Sequence, residues 1–169
     1  MYASMKFLKK IDNGLARIEG IILVVLVIVM VGLSFLQVVL RNIFQTGILW
    51  ADPLNRHLVL WVGFIGASLA AQKGRHITID ALSRFMPELW KRFSALIINM
   101  ISLIICAILA KASFDFILSE REMGATVFLD VPAWYVEAII PIGFGLLAFR
   151  FFLHFLLSLR TIFDAWGRK

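Results

Sequence analysis

Residues 20–40 read GIILVVLVIVMVGLSFLQVVL, a run without a single charged side chain. As a helix it rises about 30 Å, the thickness of a bilayer's hydrocarbon core. The run decides the solvent: apolar residues occupy every side of the helix, so the surroundings are lipid and not a soluble core. Upstream lie Lys6, Lys9 and Lys10, which with the start of the run imitate a secretory signal. The apolar stretch continues to Leu40, too long for a signal core, and no small-x-small site follows. A retained signal-anchor helix is expected.

Working outward, three further apolar blocks appear. They are Leu54–Gln72, Phe93–Ala110 and Val131–Leu159, the last interrupted by Glu137, Arg150 and His154. That last block exceeds a straight crossing, so it is tilted, kinked near Pro141, or extended past the membrane. Composition agrees: 61% of residues are apolar and mean hydropathy is +0.90, where soluble domains sit near half apolar. The expectation is an all-α integral membrane protein with four transmembrane helices, residues 1–169 forming one membrane domain.

The chain carries 17 basic and 11 acidic residues, a net charge of +6. No basic patch stands apart from the apolar blocks, so nucleic acid is not expected as a partner. The bias is that of cytoplasmic loops. Lys6, Lys9, Lys10 and Arg17 precede helix one; Lys73, Arg75, Arg84, Lys91 and Arg92 lie between helices two and three; Arg160, Arg168 and Lys169 close the tail. The first connection has Arg41, and the third sets Lys111 and Arg121 against Asp115, Glu120, Glu122 and Asp130. This rich-poor alternation puts both termini and the second loop in the cytoplasm. Within that loop Ile79, Leu82, Phe85 and Met86 share a side and Pro87 ends the run, so a short amphipathic helix in the interface is expected.

Helix two has a face of Asp52, Arg56, Val59, Gly63, Gly66, Ala67, Ala70 and Gly74. Small residues allow close helix approach in lipid. An internal packing seam through Gly63, Gly66, Ala67 and Ala70 is the preferred reading, and a docking face for a second subunit is the alternative. Asp52 and Arg56, four residues apart, are expected to pair, with Arg41 nearby as a third member of an outer polar network. Helix three has Arg92, Ala95, Asn99, Ser102, Cys106, Ala110 and Ser113 on one side, a packing face. Arg150 and His154 share a side of helix four; if that helix fills the bilayer from Trp134 onward, Arg150 falls near the cytoplasmic edge and can snorkel, and a role as anchor or partner contact is expected ahead of a catalytic or ion-relay one. Trp50, Trp134 and Tyr135, and Trp90 and Trp166, fit interfacial belts.

Chemistry is scarce. No Cys, His, Asp and Glu cluster has metal-ligand spacing. His57, His76 and His154 do not fall at matched depths for a bis-histidine haem. No phosphate-cradling glycine loop follows a strand. No repeated, interrupted helices frame a midplane ion site, and Glu19 lies at the edge of helix one, not within it. An enzyme is not expected, nor any cofactor. An accessory subunit remains, with a stand-alone four-helix exporter and a membrane adaptor or assembly factor as rivals.

One stretch is more specific. Trp50-Ala51-Asp52 is followed by Arg56, then Leu60-Trp61-Val62-Gly63-Phe64-Ile65-Gly66-Ala67, then Lys73-Gly74-Arg75-His76-Ile77-Thr78-Ile79-Asp80 and Pro87. This order resembles the small, DctQ-type membrane subunit of tripartite ATP-independent periplasmic (TRAP) transporters. Asp52 stands where the family more often has Glu. His76 and Asp80 belong to the family's loop motif. The resemblance implies two protein partners: a large membrane subunit that holds the substrate and sodium sites and moves elevator-fashion, and a periplasmic substrate-binding protein. The small subunit would brace the first and help dock the second in the bacterial inner membrane, for uptake of an organic acid such as sialic acid or a C4-dicarboxylate. Outward-facing candidates for the binding protein are Gln45, Thr46, Trp50 and Asp52 in the first loop. In the third they are Asp115, Glu120, Arg121, Glu122 and Asp130.

Overall fold

A computed structural model describes residues 2–73 and 88–166. Helix α1 runs Tyr2–Ile43, α2 Ala51–Lys73, α3 Glu88–Met123, α4 Ala133–Glu137 and α5 Ile139–Trp166. Among the described residues four segments are long and apolar enough to cross a membrane: Lys10–Ile43, Ala51–Gln72, Phe93–Met123 and Ala133–Leu159. The interfacial helix expected over Ile79–Met86, with His76 and Asp80 just before and within it, lies outside the described residues.

The long helices form an open row and not a closed bundle. α1 packs on α2, α2 on α5, and α5 on α3. Side-chain pairs give the register. Ser34 of α1 accepts from Asn55 Nδ2 at 2.8 Å, near the loop end of both helices, and Asn13 accepts from Gln72 at 3.2 Å near the opposite end; α1 and α2 are antiparallel. Phe64 meets Phe144 edge-on at 5.1 Å and Ser68 meets Arg150, so α2 and α5 run parallel. Asn99 donates to Ser158 at 3.2 Å across the antiparallel α3–α5 pair. The expected packing face of α3 is used: Cys106 is buried and Ala95, Asn99, Ser102, Ala110 and Ser113 are half-buried.

Pro141 shapes the fourth crossing. A proline in a helix removes its own N–H and clashes with the carbonyl four residues back, here that of Glu137. The helix breaks there, α4 ending at Glu137 and α5 starting at Ile139. At the break the carbonyl of Val136 accepts Trp61 Nε1 at 2.9 Å. The indole donor of α2 is thereby satisfied inside an apolar layer, where an unpaired N–H is costly.

α1 and α3 are longer than the apolar blocks predicted. At 42 and 36 residues they reach about 63 and 54 Å, well past a ~30 Å core. Glu120, Arg121 and Glu122, expected in a loop, form the last turns of α3. The helix continues because no glycine or proline interrupts it before Gly124, which takes a left-handed φ of 64°.

Candidate functional site

Arg150 is 1% exposed and all three of its guanidinium nitrogens are engaged. Nε donates to Asp12 Oδ1 at 3.1 Å, Nη1 to Ser68 Oγ at 2.8 Å and Nη2 to Glu19 Oε2 at 2.8 Å. Ser68 in turn donates to Glu19 Oε1 at 3.3 Å. Helices α1, α2 and α5 are locked at one point by a closed ring of charge-assisted bonds. Of the two placements open to Arg150, burial and snorkelling, the structure shows burial. Two carboxylates hold it inward: Glu19, directly before α1's apolar run, and Asp12, about two turns earlier. Desolvating an arginine demands such compensation. His154, one turn on, is also buried.

The internal seam on α2 is corrected. Gly63, Ala67 and Ala70 are exposed, Gly66 is half-buried, and neither glycine has a neighbour within 4 Å of a built Cβ. The packed side of α2 carries Ala51, Ile65 and Ser68, all buried. The close approach occurs elsewhere. A Cβ on Gly143 of α5 would collide with the Phe64 side chain, whose Cβ would stand at 2.8 Å. Packing therefore follows bulk into a notch: Phe64 fills the space that Gly143 leaves, and the small residues of α2 are turned away from the row.

At the other end of the row, Arg41, Asp52 and Arg56 are all exposed, and among the described residues no ion pair joins them. Asp52 needs none. It stands in the first turn of α2, where the helix dipole favours a carboxylate. Arg41 and Asp52 instead line a shallow cavity of about 260 Å³ with Gln37, Gln45 and Thr46. Gln37 straps the first loop to α1 through both amide atoms, each 3.3 Å from the backbone of Ile48.

Of the candidate docking charges, Glu122 and Asp130 are exposed and Glu120 is half-buried. Arg121 lies over the Trp134 ring at 5.6 Å, which stacks on Tyr135 at 3.8 Å. The loop that follows is a tight hairpin. Thr126 bridges Pro132, Val131 N donates to Phe128 O at 2.9 Å, and Leu129 and Asp130 take φ of 48° and 58°. His76 and Asp80 lie outside the described residues. Among the described residues no group of His, Cys, Asp and Glu could hold a metal ion.

Sequence reasoning passed over Asp12, Ser68 and Gly143. A signal for the first existed: Asp12 and Glu19 are the only acidic residues before residue 50, and their spacing of seven puts them on one face.

The family model for tripartite ATP-independent periplasmic transporters, DctQ component, matches residues 30–161. That is most of the chain, and the chain belongs to this family. It is similar to the sialic acid TRAP transporter permease protein SiaT of Haemophilus influenzae (strain 86-028NP), 24% identical over 147 residues covering 87% of this chain and 23% of that protein. It is similar to the ectoine TRAP transporter small permease protein TeaB of Halomonas elongata, 25% identical over 135 residues, 79% of this chain and 70% of the relative. The C4-dicarboxylate TRAP transporter small permease protein DctQ of Rhodobacter capsulatus is 30% identical over 105 residues, 62% of this chain and 46% of the relative. The chain thus spans under a quarter of SiaT and about half of the R. capsulatus protein. With its four apolar spans it is a multi-pass protein of the bacterial inner membrane.

Proposed function

We propose that this DctQ-family subunit is a static brace. It holds a large elevator-type permease subunit through the open face of α2 and takes part in docking a periplasmic binding protein. One observation carries the reading: Gly63, Ala67 and Ala70 line a face of α2 that the row leaves uncovered. Close helix approach in lipid depends on such residues. The Arg150 ring meanwhile fixes α1, α2 and α5 to one another, so bracing needs no internal motion. The start of α1 and the end of α5 sit at one end of the row, which the lysine and arginine bias assigns to the cytoplasm. The hairpin at 124–132 and the loop at 44–50 then face the periplasm.

Cargo does not follow from the small subunit. Relatives of similar identity are named for sialic acid, ectoine and C4-dicarboxylates. An organic acid is the proposed class, sialic acid the leading member, with sodium coupling in the large partner. Co-expression with that partner tests the brace. Gly63→Leu and Ala67→Leu should leave the chain monodisperse and strip away the large subunit, while Ala107→Leu on the exposed side of α3 should not. Retention of partner and uptake in both α2 variants would show that this face meets only lipid. Sodium-driven uptake by the chain reconstituted alone would refute the accessory role.

A further inference from the structure

Charges on the first half of α1 are sorted around its axis. Its two carboxylates, Asp12 and Glu19, face the row and are consumed by Arg150. Its cations among residues 10–43 that stand near them, Lys10 and Arg17, are exposed. They are seven residues apart and so share one face, opposite the carboxylates. No other acidic residue lies on α1 to neutralise them.

The same face continues into the apolar span. Gly20, Val24 and Ile28 follow Arg17 at intervals of three and four. Val24 is 57% and Ile28 65% exposed, and Gly20 has nothing within 4 Å of a built Cβ. From Arg17 to Ile28 is about 16 Å along the helix, half of a ~30 Å hydrocarbon core. That is one leaflet. The face therefore offers two cations at headgroup depth, a gap without a side chain, and a bare aliphatic strip the length of an acyl chain. Its complement is an anionic headgroup joined to a hydrocarbon tail.

We infer that the outward face of α1 at Lys10, Arg17, Gly20, Val24 and Ile28 binds an acidic phospholipid, the two cations holding its phosphate. This inference does not depend on the bracing role, since the α1 face and the small-residue face of α2 are separate surfaces. A large subunit covering this face through an acidic patch is the competing occupant.

The test uses the purified full chain in detergent, titrated with phosphatidylglycerol or phosphatidylcholine and followed by native mass spectrometry and thermal unfolding. Phosphatidylglycerol should be retained in preference to phosphatidylcholine and should raise the melting temperature. Lys10→Gln with Arg17→Gln should weaken phosphatidylglycerol retention about thirtyfold, the weight of two cations at an anionic surface. Its melting temperature without lipid should match the parent's, because neither residue touches the Arg150 ring. Lys10→Arg with Arg17→Lys should restore retention. Equal retention of the two lipids, or an unchanged response in the double glutamine variant, would overturn the site. So would loss of the large subunit when that variant is co-expressed with it, the isolated variant keeping its lipid response intact.

Discussion

The two ends of the helix row handle charge in opposite ways. At the end with the termini, Arg150, Asp12, Glu19 and Ser68 are drawn into one ring with every arginine nitrogen bonded. At the loop end, Arg41 and Asp52 line one cavity and Arg56 follows Asp52 by four residues, all three exposed, with no ion pair joining them among the described residues. The difference is burial. An exposed pair gains little in high dielectric and loses side-chain freedom by forming. A buried arginine has no such choice, because its desolvation is tolerable only if compensated on all sides. Near neighbours in sequence therefore stayed apart, and residues more than 130 positions apart came together.

The largest expected effect breaks the buried end. Arg150→Ala leaves Asp12 and Glu19 facing each other without a cation, and should cost about 3–5 kcal/mol in thermal or denaturant unfolding of the purified chain. Replacing Arg150 by Met and Glu19 by Leu together removes the stranded charge and should recover much of that loss. Asp52→Ala and Arg56→Ala at the exposed end should leave the melting curve where it is. Equal destabilisation at both ends would mean that burial does not separate them.

A second effect concerns where the row is tightest. Gly143→Ala should force the Phe64 ring out of its place and cost about 1–3 kcal/mol, the usual range for overpacking. Combined with Phe64→Ala, the two changes should be markedly less than additive, since they share one contact. Gly63→Ala on the open side of α2 should not move the unfolding transition of the isolated chain. A cost at Gly63 equal to that at Gly143 would restore the internal seam that the structure rejects.

These outcomes show what was legible. The four spans and the packing face of α3 could be read because each follows from local properties: runs of apolar residues and a one-sided set of small and polar groups; the break near Pro141 was one of three readings that the length of the last block left open. The choice between the two sides of α2 could not. Ala51, Ile65 and Ser68 repeat along the helix as regularly as Gly63, Ala67 and Ala70, and periodicity is blind to which side finds a partner. The partner is set by Gly143, a residue some 80 positions away whose sole contribution is the absence of a side chain. Arg150 stayed open for a related reason. Its depth was readable from α5 alone, but its burial depends on Asp12 and Glu19 of another helix. The Trp61 of the family-like stretch acquires a physical role only when the carbonyl of Val136 is placed beside it.

The smallest effect, and the one that bears on partners, lies in the hairpin at 124–132. Leu129 and Asp130 occupy the two central positions of a turn closed from Val131 N to Phe128 O, both with positive φ. Two-residue turns of this hand favour Asn-Gly, and leucine there carries a penalty of about 1–2 kcal/mol. Leu129 is also 70% exposed, so it gains nothing from packing within the chain. A strained residue that its own fold does not need points to use by another molecule, and the proposed topology puts this tip in reach of the binding protein. Leu129→Asn should therefore raise the melting temperature of the isolated chain slightly, through relief of up to about 1 kcal/mol. In the assembled transporter it should slow uptake at limiting binding protein, with most of the rate returning at saturation. Reversing Glu122 to Lys on the neighbouring turn of α3 acts through charge and should show its effect mainly at low salt; the leucine change should be insensitive to salt. Should Leu129→Asn stabilise the chain and leave uptake untouched at every binding-protein concentration, the hairpin tip is not part of the docking surface.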